Sequence, residues 1–94
     1  MQEYASLPTD NLYRQNGVKI KNLALAEPLS IGLQSTDRAN VEKGSGLTII
    51  GSGTIGLMSL FVAKKEREAS PIIVVDILDR RLEMAKNFGA DHVI

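Results

Sequence analysis

Short apolar runs alternate with longer amphipathic segments from Leu47 onward. Two of the apolar runs, Leu47–Ile50 and Ile72–Val75, are rich in β-branched residues and lack polar alternation. This pattern is typical of parallel strands that are covered on both faces. We therefore predict two buried strands, and we expect a third strand to begin within Asp91–Ile94.

Two helices are predicted between these strands. The first extends from Thr54 to about Arg67, and the second spans Arg80–Phe88, with Asp79 as its N-cap and Gly89 as the residue that ends it. The apolar stripe of the first helix is expected to consist of Ile55, Leu57, Met58, Phe61 and Val62. Strand and helix therefore alternate, as they do in α/β folds.

The first half of the chain is less regular. Residues Glu3–Leu7 could form a short strand that ends at Pro8. A core helix is predicted over Leu23–Leu33 and onward to Ala39, and Pro28 must then lie in a first turn or at a kink.

A glycine-rich motif lies between the first predicted strand and the first predicted helix. The segment Gly51–Gly56 reads G-x-G-x-x-G, and Asp76 follows twenty residues later at the end of the next strand. Gly51 would permit the tight turn, Gly53 the approach of a pyrophosphate to the backbone, and Gly56 close packing of the helix on the strand. This order of elements predicts a dinucleotide-binding βαβ unit.

The helix start and Asp76 would bind different parts of the ligand. Free N–H groups near Thr54 and Ile55, with about half a positive charge from the helix dipole, would receive the pyrophosphate. Asp76 would accept both ribose hydroxyls and repel a 2′-phosphate, which favours NAD over NADP. Two alternatives remain open: a plain tight turn with Asp76 as a helix cap, and an S-adenosylmethionine-dependent methyltransferase, which also combines a glycine-rich turn with a strand-end acid.

Composition and length limit these hypotheses. Lys plus Arg equals Asp plus Glu, at 11 each, so no nucleic-acid or membrane partner is expected. The 94 residues include no cysteine and no apolar run of the roughly 18 residues that a membrane span needs. Met1–Tyr4 does not resemble a signal peptide, and we expect a cytoplasmic protein. A complete doubly wound domain usually needs about five or six strands with helices on both faces. The predicted fold class is therefore α/β, with an incomplete Rossmann-type parallel sheet (a βαβαβ half).

Several segments resemble the zinc-dependent medium-chain dehydrogenases, most closely the sorbitol and threonine dehydrogenase branches. They are residues 26–33, 41–44, 49–57, 73–76, 81–82 and 85–94. The resemblance implies that residues 1–45 are the C-terminal remnant of a catalytic, GroES-like domain with a connecting helix. Residues 46–94 would then be the N-terminal half of an NAD-binding domain.

The resemblance also implies roles for two further residues. Arg81 matches a basic residue that contacts the adenosine ribose, although it could equally be a surface arginine. Glu27 matches a glutamate at the catalytic zinc, as ligand or through water, although a helix-start carboxylate is the simpler interpretation. The implied cofactors are NAD and zinc, the implied substrate is a small alcohol or polyol, and the family forms homo-oligomers.

The zinc site would be incomplete in this sequence. A catalytic zinc needs about three protein ligands, and the family's cysteine and His-Glu ligands are not found here, while His92 is best read as part of a strand. No catalytic residue is therefore assigned. The leading hypothesis is a fragment of an NAD-dependent, zinc-type alcohol or polyol oxidoreductase that binds the ADP part of NAD and is inactive alone. A non-catalytic nucleotide-binding or interaction module is the alternative.

Overall fold

The computed structural model describes residues 3–94; Met1 and Gln2, the start of the segment judged not to be a signal peptide, lie outside it. A 3-10 turn at Thr9–Asn11 precedes four helices and three strands. The helices are α1 (Ile20–Leu23), α2 (Ala26–Arg38), α3 (Thr54–Lys65) and α4 (Asp79–Phe88), and the strands are β1 (Leu47–Ile50), β2 (Ile72–Val75) and β3 (His92–Val93). Within residues 3–94, no helix has both the length and the apolar character needed to cross a membrane.

The three strands form one parallel sheet in the order β1-β2-β3. Leu47 pairs with Ile72 and Ile50 with Val75, so β1 and β2 end at the same level. The α/β class and the parallel βαβαβ arrangement are therefore confirmed, and the bounds of β1 and β2 are those that the sequence predicts.

One face of the sheet carries the core. Helices α3 and α4 both pack there, as right-handed crossovers require when strand order follows chain order. The main members of this core are Leu57, Met58, Leu60, Ala63, Ile72, Val74 and Ala85.

The opposite face of β1 is open. Thr48 is exposed and Ile50 is 86% exposed, so residues 3–94 cover one face of β1, although its apolar run is typical of a strand that is covered on both faces. The reason is the position of α2, which packs on α3. A Cβ atom on Gly32 would lie only 2.7 Å from the carbonyl carbon of Met58, so the backbones of the two helices are in close contact.

Two predictions about helix α3 need correction. It ends at Lys65 rather than near Arg67. Ile55 and Phe61 are 44% and 38% exposed. The side chains of Leu60 and Ala63 are fully buried instead, because α3 contacts α2 as well as the sheet and is therefore covered over a wider arc than one stripe.

Four other local predictions can be compared with the structure. Glu3–Leu7 is not a strand; these residues are exposed and pair with no strand of the sheet. Asp79 is the first residue of α4 rather than its N-cap. Pro28 occupies the first turn of α2, as expected. Gly89 ends α4 with a φ of +102°, which confirms its predicted role.

Candidate nucleotide-binding site

The glycine-rich turn and Asp76 lie side by side at the carboxyl end of the sheet. Because Ile50 pairs with Val75, the residues that follow each strand emerge at the same level. The backbone N–H of Gly51 donates to the carbonyl oxygen of Val75 at 2.7 Å and extends the strand pairing into the turn. This edge is where open parallel sheets bind their ligands.

The three glycines of the motif have different surroundings. Gly51 has a φ of +93°, a conformation that favours glycine. A Cβ atom on Gly56 would lie 1.9 Å from the carbonyl oxygen of Gly51, so a side chain cannot fit there. A Cβ atom on Gly53 would meet no atom of the described chain within 4 Å beyond its immediate neighbours. The backbone at Gly53 therefore faces open space, as the approach of a ligand requires.

Asp76 is held by three hydrogen bonds. Its Oδ2 accepts the backbone N–H of Ser52 at 2.7 Å and the Ser52 hydroxyl at 3.1 Å. Its Oδ1 accepts the backbone N–H of Leu78 at 3.1 Å. The carboxylate thus ties the glycine-rich turn to the segment that leads into α4, and only 3% of its side chain is exposed.

These contacts favour the ionised carboxylate. The backbone N–H of Ser52 is the main cause that lowers the pKa of Asp76, and the N–H of Leu78, the Ser52 hydroxyl and the charge of Arg81 act in the same direction against partial desolvation. Arg81 Nη1 lies 3.7 Å from Asp76 Oδ2. Asp76 is therefore charged at neutral pH, as recognition of hydroxyl donors requires.

Two cavities meet at Arg81. The larger, of about 410 Å³, is lined by Ile50, Gly51, Val75, Asp76, Ile77, Arg81 and Ile94. The smaller, of about 180 Å³, is lined by Ser52, Gly53, Thr54, Leu57, Arg80, Arg81 and Met84. An adenosine-sized group beside Asp76 and an anion beside Gly53 would thus lie on either side of one arginine.

The predicted site residues are brought together with one exception. Gly51, Gly53, Thr54, Gly56, Asp76 and Arg81 all lie at this edge of the sheet, together with Ile55, which is in the first turn of α3. Glu27 lies instead in the first turn of α2 and is exposed. Among residues 3–94, no three His, Asp or Glu side chains converge where a metal ion could bind. Residues 3–94 therefore do not by themselves supply a set of ligands that fits a zinc ion.

Sequence reasoning missed Ser52. It stands at a variable position of the motif, and its side chain is 1% exposed and bonded to Asp76. The strand register could have revealed it, because two parallel strands that end level place the residues after them in contact.

The known proteins that this chain is similar to are dehydrogenases. No protein-family model matches the chain. It is 41% identical over 95 residues to an uncharacterized zinc-type alcohol dehydrogenase-like protein of Haemophilus influenzae, covering 100% of this chain and 27% of that protein. It is 38% identical over 93 residues to sorbitol dehydrogenase of Bacillus subtilis, covering 99% and 24%. The chain thus spans about a quarter of the length of these relatives.

A solved structure gives the same picture. A protein described as a short chain alcohol dehydrogenase, from Escherichia coli CFT073 and in complex with NADH, superposes with a TM-score of 0.82 and 32% identity, covering 94% of this chain and 26% of that one. The fold and the turn define a Rossmann-type α/β unit. The sequence matches confirm the resemblance: over nearly its whole length, the chain is similar to part of the zinc-type alcohol and sorbitol dehydrogenases.

Proposed function

We propose that this chain binds the ADP part of NAD and represents the first half of the cofactor domain of an NAD-dependent alcohol or polyol dehydrogenase. The observation that carries the proposal is the 2.7 Å hydrogen bond between the Ser52 N–H and Asp76 Oδ2, which fixes a charged carboxylate beside the glycine-rich turn. One structural neighbour is in complex with NADH and another with NADP, which supports a nicotinamide dinucleotide as the ligand. The preference for NAD is inferred from the charge of Asp76.

Each part of the site has a defined task in this proposal. The turn at Gly53 admits the pyrophosphate, and the N–H groups at the start of α3 donate to it. Asp76 accepts hydrogen from the adenosine ribose, and its charge repels a 2′-phosphate. Arg81, beside Asp76, contacts the ribose. The bound NAD would supply a nicotinamide ring that accepts hydride from the substrate.

The proposed domain assignment and the role of Glu27 depend on residues other than those of the nucleotide-binding site. We propose that residues 1–45 belong to a catalytic domain and residues 46–94 to the cofactor domain. Glu27 would act at zinc only together with ligands from elsewhere, since the residues described here do not form a metal site. The chain is therefore expected to show no dehydrogenase activity alone. Zinc-dependent reduction of NAD with sorbitol or threonine by the purified chain would contradict this.

The ligand class can be tested by calorimetry with NAD, NADP and S-adenosylmethionine. The proposal predicts that NAD binds more tightly than NADP and that S-adenosylmethionine does not compete. Preferential binding of S-adenosylmethionine would favour the methyltransferase alternative instead. Binding of none of the three would favour a module that interacts with another protein, and would contradict the proposed function.

A further inference from the structure

The hydrogen-bonding capacity of Asp76 is largely used before any ligand binds. A carboxylate offers about four lone-pair sites, two on each oxygen. On Oδ2 both sites are taken by Ser52, one by its backbone N–H and one by its hydroxyl. On Oδ1 one site is taken by the N–H of Leu78. One site, on Oδ1, remains for a ribose that carries two neighbouring hydroxyls.

The Ser52 hydroxyl is also held where it is. The side chain is 1% exposed, and its hydrogen bond within the described chain is the one to Asp76. A ribose hydroxyl that displaced it from Oδ2 would leave a buried hydroxyl without a partner, which is costly. The backbone N–H of Ser52 cannot be displaced either, because it is fixed by the glycine-rich turn.

We propose that Ser52 is a specificity-determining residue whose hydroxyl competes with the ligand for Asp76 Oδ2, so that the carboxylate accepts one ribose hydroxyl rather than both. This inference rests on the proposed function and adds to it. Ser52 occupies the second position of the motif, where the sequence pattern allows any residue, and the inference gives its side chain a role that differs from those of the glycines around it. The hydroxyl limits affinity for the adenosine ribose instead of increasing it.

The test compares ADP, 2′-deoxy-ADP and 3′-deoxy-ADP as ligands of the full chain, by NMR titration. Ser52→Ala removes the hydroxyl and keeps the backbone N–H, so it frees one acceptor site on Oδ2. We expect this variant to bind ADP about three- to tenfold more tightly than the unmodified chain, the value of one added hydrogen bond. The gain in affinity should disappear with one of the two deoxy analogues, namely the one that lacks the ribose hydroxyl that donates to the freed acceptor site on Oδ2.

Two further variants secure the result. Ser52→Gly also removes the hydroxyl and should reproduce the gain if Ser52→Ala does not fold. Ser30→Ala, on the exposed side of α2, removes a hydroxyl whose hydrogen bond within residues 3–94 goes to the carbonyl oxygen of Glu27. This variant should bind ADP as the unmodified chain does.

The outcomes separate this inference from the proposed function. If the unmodified chain binds ADP and both Ser52 variants bind it equally well or more weakly, the proposed competition between Ser52 and the ribose is wrong. The proposed function would not be affected by that result. An equal gain for ADP and both deoxy analogues would overturn it too, since the ribose hydroxyls would then play no part. If neither the unmodified chain nor any of the variants bound ADP, both the proposed function and the inference about Ser52 would be wrong.

Discussion

The carbonyl oxygen of Gly51 lies where a Cβ atom of residue 56 would have to be, 1.9 Å from its ideal position. The Gly56→Ala variant must therefore move α3 away from the turn. Alanine would otherwise gain about 1 kcal/mol of helix propensity, so a loss of stability can only come from this clash. We expect a loss of roughly 3 kcal/mol, at the upper end for overpacking, measured by urea unfolding. Gly46→Ala is the control, because its Cβ would make ordinary contact with Pro71 at 3.8 Å. Equal stability of the two variants would contradict the packing account.

Substitution of Gly53, the middle glycine of the motif, should have the opposite effects to substitution of Gly56. Gly53 has a φ of −70° and open space around its Cβ position, so Gly53→Ala is expected to change stability by less than about 0.5 kcal/mol. The added methyl group would occupy the place through which a pyrophosphate approaches the backbone. ADP binding should therefore fall about tenfold or more while the unfolding curve stays the same. Unimpaired ADP binding would show that the pyrophosphate does not lie against Gly53.

The strands were predictable because their signals are local. β1 and β2 are β-branched runs bounded by Gly46, Gly51 and Pro71, and turn residues of this kind fix where a strand can begin and end. The glycine-rich turn followed from the same strand–helix order. These features depend on residues that are near one another in the chain.

The errors concern contacts between distant segments. The sequence gives no sign that α2 packs on α3, so neither the burial of Leu60 nor the exposure of Ile50 could be read from periodicity. The bonds of Asp76 with Ser52 depend on the register between β1 and β2. Helix α4 begins at Asp79 itself, so the N-cap position falls on Leu78. Tertiary position decides these details.

Asp91 makes the stability of the fold depend on pH. Its carboxylate accepts hydrogen bonds from Lys64 Nζ at 2.7 Å, the N–H of Ile72 at 2.7 Å and the Ser70 hydroxyl at 3.4 Å, and so joins α3, β2 and the start of β3. The bond from Lys64, followed by that from Ile72, lowers the pKa of Asp91 below its ordinary value of 3.8. A lowered folded-state pKa means that the stabilisation is present at neutral pH and is lost as the pH falls through that pKa.

The Asp91→Asn variant tests this dependence. Its melting temperature should lie below that of the unmodified chain at pH 7, and the difference should shrink as the pH falls below 3.8. Asp10→Asn, in the exposed N-terminal stretch, serves as the control. A difference in melting temperature that stays constant across this pH range would contradict the assigned role of Asp91.

The open face of the sheet should cause self-association. The chain exposes 7443 Å², whereas a compact protein of its mass exposes about 5300 Å². The extended stretch before α1 contributes to the excess, and so does the uncovered face, where Ile50 is 86% exposed. Exposed apolar faces and free strand edges favour association. Sedimentation should show concentration-dependent assembly that Ile50→Thr weakens and that Ile20→Thr, at an equally exposed position on α1, does not. A monodisperse monomer that melts cooperatively above about 60 °C would show that the chain closes its own core.

Asp76 determines which dinucleotide binds. The Asp76→Asn variant removes the charge and keeps one oxygen, which can accept the N–H of Ser52 or that of Leu78 but not both, because these donors bond to different carboxylate oxygens. We expect affinity for NAD to fall about tenfold or more, since bonds to a charged acceptor are the stronger ones. NADP should bind better than before, because the repulsion of its 2′-phosphate is gone. In the unmodified chain the pKa of Asp76 lies below its ordinary value of 3.8, so the carboxylate stays charged as the pH falls towards that pKa. NAD binding should therefore weaken only when the pH falls below 3.8.

The most direct measurement is an amide NMR titration of the labelled chain and of Asp76→Asn with NAD. The account predicts saturable shifts in the unmodified chain at residues 51–56 and 76–81, where the turn and the strand-end carboxylate lie, and much weaker affinity in the variant. It is contradicted if NAD shifts no amide in these two segments, or if both proteins bind NAD equally well.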